Sequence, residues 1–147
     1  MKKVVLISVF ILMNVSTLLA QKDVEAEAIK KAIVEAYVDG IFNIGDSEAI
    51  KKGWHSHCDI VIYNRRADSI KKLPIQYWVD YFNDKPGPLR KETRYEFTDI
   101  HISGNAAVAI VEIYRHERHI YTDFMSLYKF KEGWKVATKI FYTHPKV

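Results

Sequence analysis

The stretch Gly53-Trp54-His55-Ser56-His57-Cys58-Asp59 carries two imidazoles, a thiol and a carboxylate, the donor types that hold divalent transition metals. Their spacing argues against a metal centre. Where this segment enters a strand, His57 and Cys58 point to opposite faces, so one ion cannot use both. His55 and His57 can share a face, but they need a third ligand from elsewhere. The expectation is no metal, with His55 a structural or pocket-rim histidine and Cys58 buried at the start of a strand. Cys58 is the only cysteine of the chain, so it has no intramolecular disulfide partner. A second set of reactive groups, Glu112 and Asp123, lies on two apolar, strand-like segments. Two carboxylates close together in a low-dielectric cavity do not easily both ionise, so one can keep its proton and act as general acid or base.

These residues need elements to position them. Ile29, Ala32, Ile33, Ala36, Tyr37, Gly40 and Ile41 recur at the spacing of a helix with one buried face, over Val24 to Asn43. Gly45-Asp46-Ser47 interrupts it, and Asp46 or Ser47 can cap a short second helix to about Lys52, because their oxygens accept the free amides of its first turn. A strand is expected over Cys58 to Tyr63 and a polar, basic loop over Asn64 to Lys72. Pro74 suits a first helical turn, and Ile75, Trp78, Val79 and Phe82 give a third helix its stripe. Lys85-Pro86-Gly87-Pro88 ends it.

Four β-rich runs follow: Glu92 to Ser103, Ala106 to His116, His119 to Lys131 and Trp134 to His144, separated by short turns. They predict antiparallel hairpins. With two-residue turns, one face carries Glu112, Tyr114, Asp123 and Tyr142 among aliphatic residues. The other carries Val111, Ile113, Phe124, Lys135, Lys139 and Phe141. Lysines prefer water, so the first face is assigned to the concave side, with Glu112 opposite Asp123 and Asp123 opposite Tyr142. A bulge at any turn would shift that parity and send the carboxylates outward. His101, His116 and His144 read as hydrogen-bonded structural histidines. Aromatics such as Trp54, Trp78 and Tyr142 could stack on a flat molecule, although such residues usually build core.

The N-terminus has the layout of a signal peptide: Lys2-Lys3, an apolar run from Val4 to Met13, and a small residue, Ala20, before Gln21. Residues 1–20 are read as that signal and 21–147 as a single domain, exported to the periplasm or the medium. The chain has 22 basic and 18 acidic residues; Lys2 and Lys3 would leave with the signal, so the mature balance is 20 against 18, or +2. This dispersed excess does not suggest nucleic acid, and no membrane association is expected after cleavage.

Helices first and then a meander of strands is an α+β pattern. Its order and several local signatures resemble the NTF2-like superfamily, which includes ketosteroid isomerase, SnoaL-type cyclases and scytalone dehydratase. The nearest likeness is to lumazine-binding and SnoaL-like secreted proteins. The marks are Tyr37-Val38-Asp39-Gly40-Ile41-Phe42-Asn43-Ile44-Gly45-Asp46, Asp123-Phe124-Met125-Ser126-Leu127-Tyr128-Lys129 and Gly133-Trp134-Lys135-Val136-Ala137-Thr138-Lys139-Ile140-Phe141. The resemblance implies a cone of three N-terminal helices packed on a curved, mostly antiparallel sheet. It also implies a homodimer formed through the convex face, which on the parity above would expose Val111, Ile113, Phe124 and Phe141. The expected function is binding of a small hydrophobic or aromatic molecule in an apolar pocket, with cofactor-free acid–base chemistry an open extension. Asp123 and Glu112 are the catalytic candidates; His55, Trp54, Trp78, Tyr114 and Tyr142 are the ligand-binding candidates. The alternative is a non-catalytic dimeric module whose cone is filled by its own side chains.

Overall fold

The computed structural model describes residues 21–89 and 92–145; the expected signal peptide, residues 1–20, lies outside the described residues. Helix α1 runs through residues 21–43 and changes from α-helical to π-helical winding over Val34–Asn43. The wider turn of the π segment places Tyr37, Val38, Ile41 and Phe42 all on the buried side, a broader stripe than α-helical spacing provides. Asp46 then caps α2 (Ser47–Gly53), its carboxylate accepting from the amides of Glu48 at 2.9 Å and Ala49 at 3.1 Å.

Strand β1 spans Trp54–Asn64 and β2 spans Ser69–Pro74; α3, Gln76–Asp84, follows them. The expectation of three N-terminal helices is therefore corrected, since a hairpin separates the second helix from the third. Strand β2 occupies part of the segment expected as loop. Ser69-Ile70-Lys71-Lys72-Leu73-Pro74 has no clean alternation because it is a largely exposed edge strand, and its lysines guard that edge against further pairing. Strand β1 starts four residues earlier than expected, at Trp54.

Strands β3 (Arg94–Ser103), β4 (Ala106–Arg115), β5 (Arg118–Phe130) and β6 (Gly133–Thr143) complete one six-stranded sheet in the order β2-β1-β6-β5-β4-β3. All neighbours are antiparallel except β1 and β6. The helices cover the concave face, and Ile29, Ile33, Val38, Ile50 and Trp54 meet Ala109, Val111, Ile113, Met125, Leu127 and Val136 in one core. Burying aliphatic and aromatic side chains of this size stabilises the fold by about 1.5–3 kcal/mol each.

Two of the sheet's bulges set the parity of β4 and β6 relative to β5. Ile113 pairs with Tyr121 but Tyr114 with His119, leaving Ile120 extra; Leu127 pairs with Val136 but Ser126 with Thr138, leaving Ala137 extra. Each bulge reverses the facing of everything beyond it. Asp123 is therefore on the concave face as expected, but its cross-strand neighbours are Val111 and Phe141, not Glu112 and Tyr142. Glu112, Tyr114 and Tyr142 lie on the convex side. Lys139 and Phe141, expected outside, point inward, and Val111 and Ile113 are fully buried. The apolar residues that the convex side exposes include Val108, Phe124, Tyr128, Ile140 and Tyr142. No helix among the described residues is long and apolar enough to cross a membrane.

Candidate functional site

Three polar side chains meet inside the concave face. Asp123 and Lys139 are 0% and 4% exposed, and Tyr37 from the π segment of α1 is 2% exposed. The Tyr37 hydroxyl donates to Asp123 Oδ2 at 2.7 Å and accepts from Lys139 Nζ at 2.8 Å. Lys139 Nζ also donates to Asp123 Oδ1, which closes the triangle. The bulge at Ala137 turns Lys139 inward, and α1 delivers Tyr37 from the opposite wall.

Aromatic rings enclose the ammonium group: Nζ lies 4.5 Å from the Phe141 ring centroid and 4.6 Å from that of Tyr37, within the range of cation–π attraction. Burial lowers the pKa of Lys139, with Asp123 opposing through its charge and hydrogen bond. Burial first, and then the charge of Asp123, raises the Tyr37 phenol well above its usual value. The triangle therefore holds a phenol that keeps its proton and an amine that releases one more readily than a solvated lysine does.

Next to the triangle is a cavity of about 210 Å³, lined by Tyr37, Ile41, Ile62, Trp78, Lys139 and Phe141 among others. Arg115 enters it from the end of β4. Its guanidinium carbon lies 5.0 Å from the Phe42 ring and 5.8 Å from the Tyr121 ring, and its Nε–H is buried with no hydrogen-bond acceptor among the described residues. An unpaired buried donor costs about 1–3 kcal/mol. A wider groove of about 720 Å³ runs between α1, α2 and the β5–β6 turn. Its charged residues Lys31, Glu35, Glu48 and Lys52 are solvent-exposed, and its half-buried carboxylate, Glu25, already accepts from Lys129 at 2.6 Å and from the Trp134 indole at 2.7 Å. Among the described residues it therefore leaves no buried polar group without a partner, as Arg115 does in the interior cavity.

Of the expected site residues, the structure brings only Asp123 and Trp78 to this region. Trp54 is core: its indole N–H donates to the Ala36 carbonyl at 3.2 Å, and its ring meets Tyr37 edge-on. His55 lies outside the cavity, stacked on Phe130 at 5.1 Å. Glu112 and Tyr114 meet His119 on the convex face, and Tyr142 packs there against His144 and Arg65. Cys58 is buried, and burial together with the nearby Asp59 charge pushes its thiol up to about 12. Sequence reasoning missed Tyr37, Arg115 and Lys139. Tyr37 was legible only as part of an apolar stripe, and a lysine in a strand gives no sign that it faces inward.

The model of a family described as "Putative lumazine-binding" matches residues 24–142. No curated protein matches the chain. Among solved structures, an NTF2-like protein of unknown function from Shewanella baltica is 26% identical, with a TM-score of 0.66, covering 83% of this chain and 95% of that one. An NTF2-like protein from Methylobacillus flagellatus is 24% identical, with a TM-score of 0.63 over 82% of this chain and 92% of its own. An NTF-2 like protein from Silicibacter pomeroyi is 16% identical, with a TM-score of 0.65 over 83% and 98%. Both of the latter are also of unknown function.

Proposed function

The chain belongs to the Putative lumazine-binding family of NTF2-like proteins, and from that membership we propose that it binds a small, flat, electron-poor molecule in the cavity beneath α3. The observation that carries this reading is the buried Arg115 Nε–H without an acceptor among the described residues, beside a second cation, Lys139, in the same cavity. A ligand carbonyl or an anionic nitrogen would satisfy both. The cavity lies below the roughly 300–1,000 Å³ typical of drug-sized sites, which favours a compact bicyclic molecule that can lie against Trp78 and Phe141. Lumazine itself, a planar pteridine with two carbonyls and an acidic N–H, has that shape and polarity.

Acid–base turnover is the extension of this reading. Lys139, Tyr37 and Asp123 form a chain along which a proton can move between a bound carbonyl compound and a carboxylate, and the chemistry needs no cofactor. Export and homodimerisation complete the proposal. The layout of residues 1–20 supports the first, and the convex apolar residues Val108, Phe124, Ile140 and Tyr142 support the second. The alternative, a non-catalytic dimeric module with a filled cone, is less favoured because an open cavity borders the polar triangle.

Titrating lumazine into the purified protein while following tryptophan fluorescence tests the binding reading. The expected result is saturable quenching, because Trp78 lines the cavity. A charge-assisted hydrogen bond contributes about 1.5–3 kcal/mol, so Arg115→Met should weaken binding by roughly 10- to 100-fold. An absence of saturation, or an unchanged affinity in Arg115→Met, would count against it.

A further inference from the structure

We propose that Glu112, His119 and His144 form a binding site for a divalent transition-metal ion on the convex face of the sheet, separate from the cavity. The three side chains come from β4, from β5 and from the residue just beyond β6. Register brings them together: Glu112 and Tyr142 both pair with Thr122, and the Ile120 bulge sets His119 beside them.

The donor atoms already converge. His119 Nε2 is 2.6 Å from Glu112 Oε2, and the Thr122 hydroxyl lies 2.7 Å from Glu112 Oε2 and 2.9 Å from His144 Nε2. One oxygen or nitrogen from each of the three residues falls within 4.8 Å of the others. Tetrahedral zinc with bonds of about 2.0–2.1 Å keeps its ligands roughly 3.3 Å apart, so His119 and Glu112 need to separate by less than an ångström to admit an ion. A coordinating nitrogen needs its lone pair, so the ion takes the place of the contacts that His119 Nε2 makes with Glu112 and with the Tyr121 carbonyl at 3.2 Å.

The aromatic neighbours keep the two imidazoles together, and the rings must turn out of their stack to aim both in-plane lone pairs at one ion. His119 stacks on His144 with centroids 3.6 Å apart and on Tyr114 at 4.7 Å, while Tyr142 meets His144 edge-on at 4.9 Å. The His119 side chain is 31% exposed and that of Glu112 is 15% exposed, so an ion can enter from solvent yet loses much of its water on arrival. Two imidazoles and one carboxylate suit zinc or its first-row neighbours rather than magnesium or calcium, which prefer all-oxygen shells. Three protein ligands leave a fourth position for water or a further donor.

The test adds Co²⁺ and then Zn²⁺ to the chelator-treated full chain. The expected result is one ion per chain, intense visible absorption of four-coordinate Co²⁺ that Zn²⁺ abolishes, and affinity of micromolar or tighter. His119→Ala and His144→Ala should each weaken Zn²⁺ binding at least tenfold, because even supporting residues around a metal contribute 10- to 100-fold. His55→Ala should leave it unchanged. Both histidine variants sit at the half-exposed surface, and circular dichroism checks that they fold. Absence of saturable binding to the wild type overturns the assignment. So does binding that survives in both His119→Ala and His144→Ala, or that disappears in His55→Ala.

Discussion

Removing one partner of the buried Lys139–Asp123 pair strands the other without a counter-charge, which costs about 3–5 kcal/mol in comparable cores. Asp123→Asn or Lys139→Met should therefore lower the midpoint of thermal unfolding by roughly 10–20 °C, on the scaling for domains of this size. The double replacement Asp123→Leu with Lys139→Met should recover part of that loss, since hydrophobic pairs replace buried ion pairs at little cost, less about 1–3 kcal/mol for the buried Tyr37 hydroxyl left without either partner. Additive losses in the double variant would contradict the pairing. Alkaline titration tests a second residue. Cys58, raised to about 12, and Tyr37, raised above its usual value, both keep their protons in the folded state where the unfolded chain would release them. Their stabilisation is complete below about pH 9 and is lost as pH rises through the folded values. The lowered pKa of Lys139 acts in the opposite sense, easing its penalty as pH climbs toward 10.5. Urea unfolding at pH 8 to 10.5 should show falling stability, with a shallower slope in Cys58→Ala; equal slopes would exclude the thiol as a cause. At this scale Asp123 was legible because the concave parity of β5 follows from its alternation. Lys139 was not, because a charged side chain in a strand is read as solvated unless a partner elsewhere in the chain is known.

Bulges explain why the alternation was correct in β5 and failed in β4 and the far half of β6. Ile120 and Ala137 are ordinary residues that nothing in the sequence marks as extra, so counting by twos across the turns placed Glu112 opposite Asp123. Helical periodicity transferred better: the stripe over Ile29 to Ile41 and the Ile75, Val79 and Phe82 face are buried as read, because helix spacing does not depend on pairing register. The edge strand β2 was hidden by its polarity. Turn chemistry was legible at Gly45, whose φ of +77° suits glycine and where a Cβ would approach the Gly87 carbonyl oxygen to 2.0 Å. At Gly104 φ is +60° and a Cβ would meet nothing within 4 Å. Gly104→Ala should cost about 1–2 kcal/mol for the left-handed backbone alone. Gly45→Ala should cost clearly more, because backbone must also move. Thermal melts of the two variants separate the effects, and equal losses would refute the close contact between the α1–α2 turn and the loop after α3.

The order of elements was enough to place residues 24–142 in an NTF2-like α+β fold with α3 after the first strand, although the pairing of β2 with β1 was not legible. Long strands and amphipathic helices leave few ways to bury one sheet face, which is why architecture was legible while the contents of the interior were not. The outer face bears on assembly. Phe124, Ile140 and Tyr142 are 39%, 52% and 43% exposed, and a second copy of the chain would cover them. Sedimentation velocity should show a dimer at micromolar concentration, and a monomer for Phe124→Glu with Ile140→Lys; a monomeric wild type would remove the dimer from the account. The interior bears on function, and there the central claim is that the cavity holding Arg115, Lys139 and Trp78 takes the ligand. A crystal structure grown with lumazine tests it most directly. The expected result is a planar molecule beneath α3, with an acceptor atom on Arg115 Nε and another near Lys139 Nζ. Ligand density in the groove between α1 and α2, or an interior closed by its own side chains with no ligand bound, would contradict it.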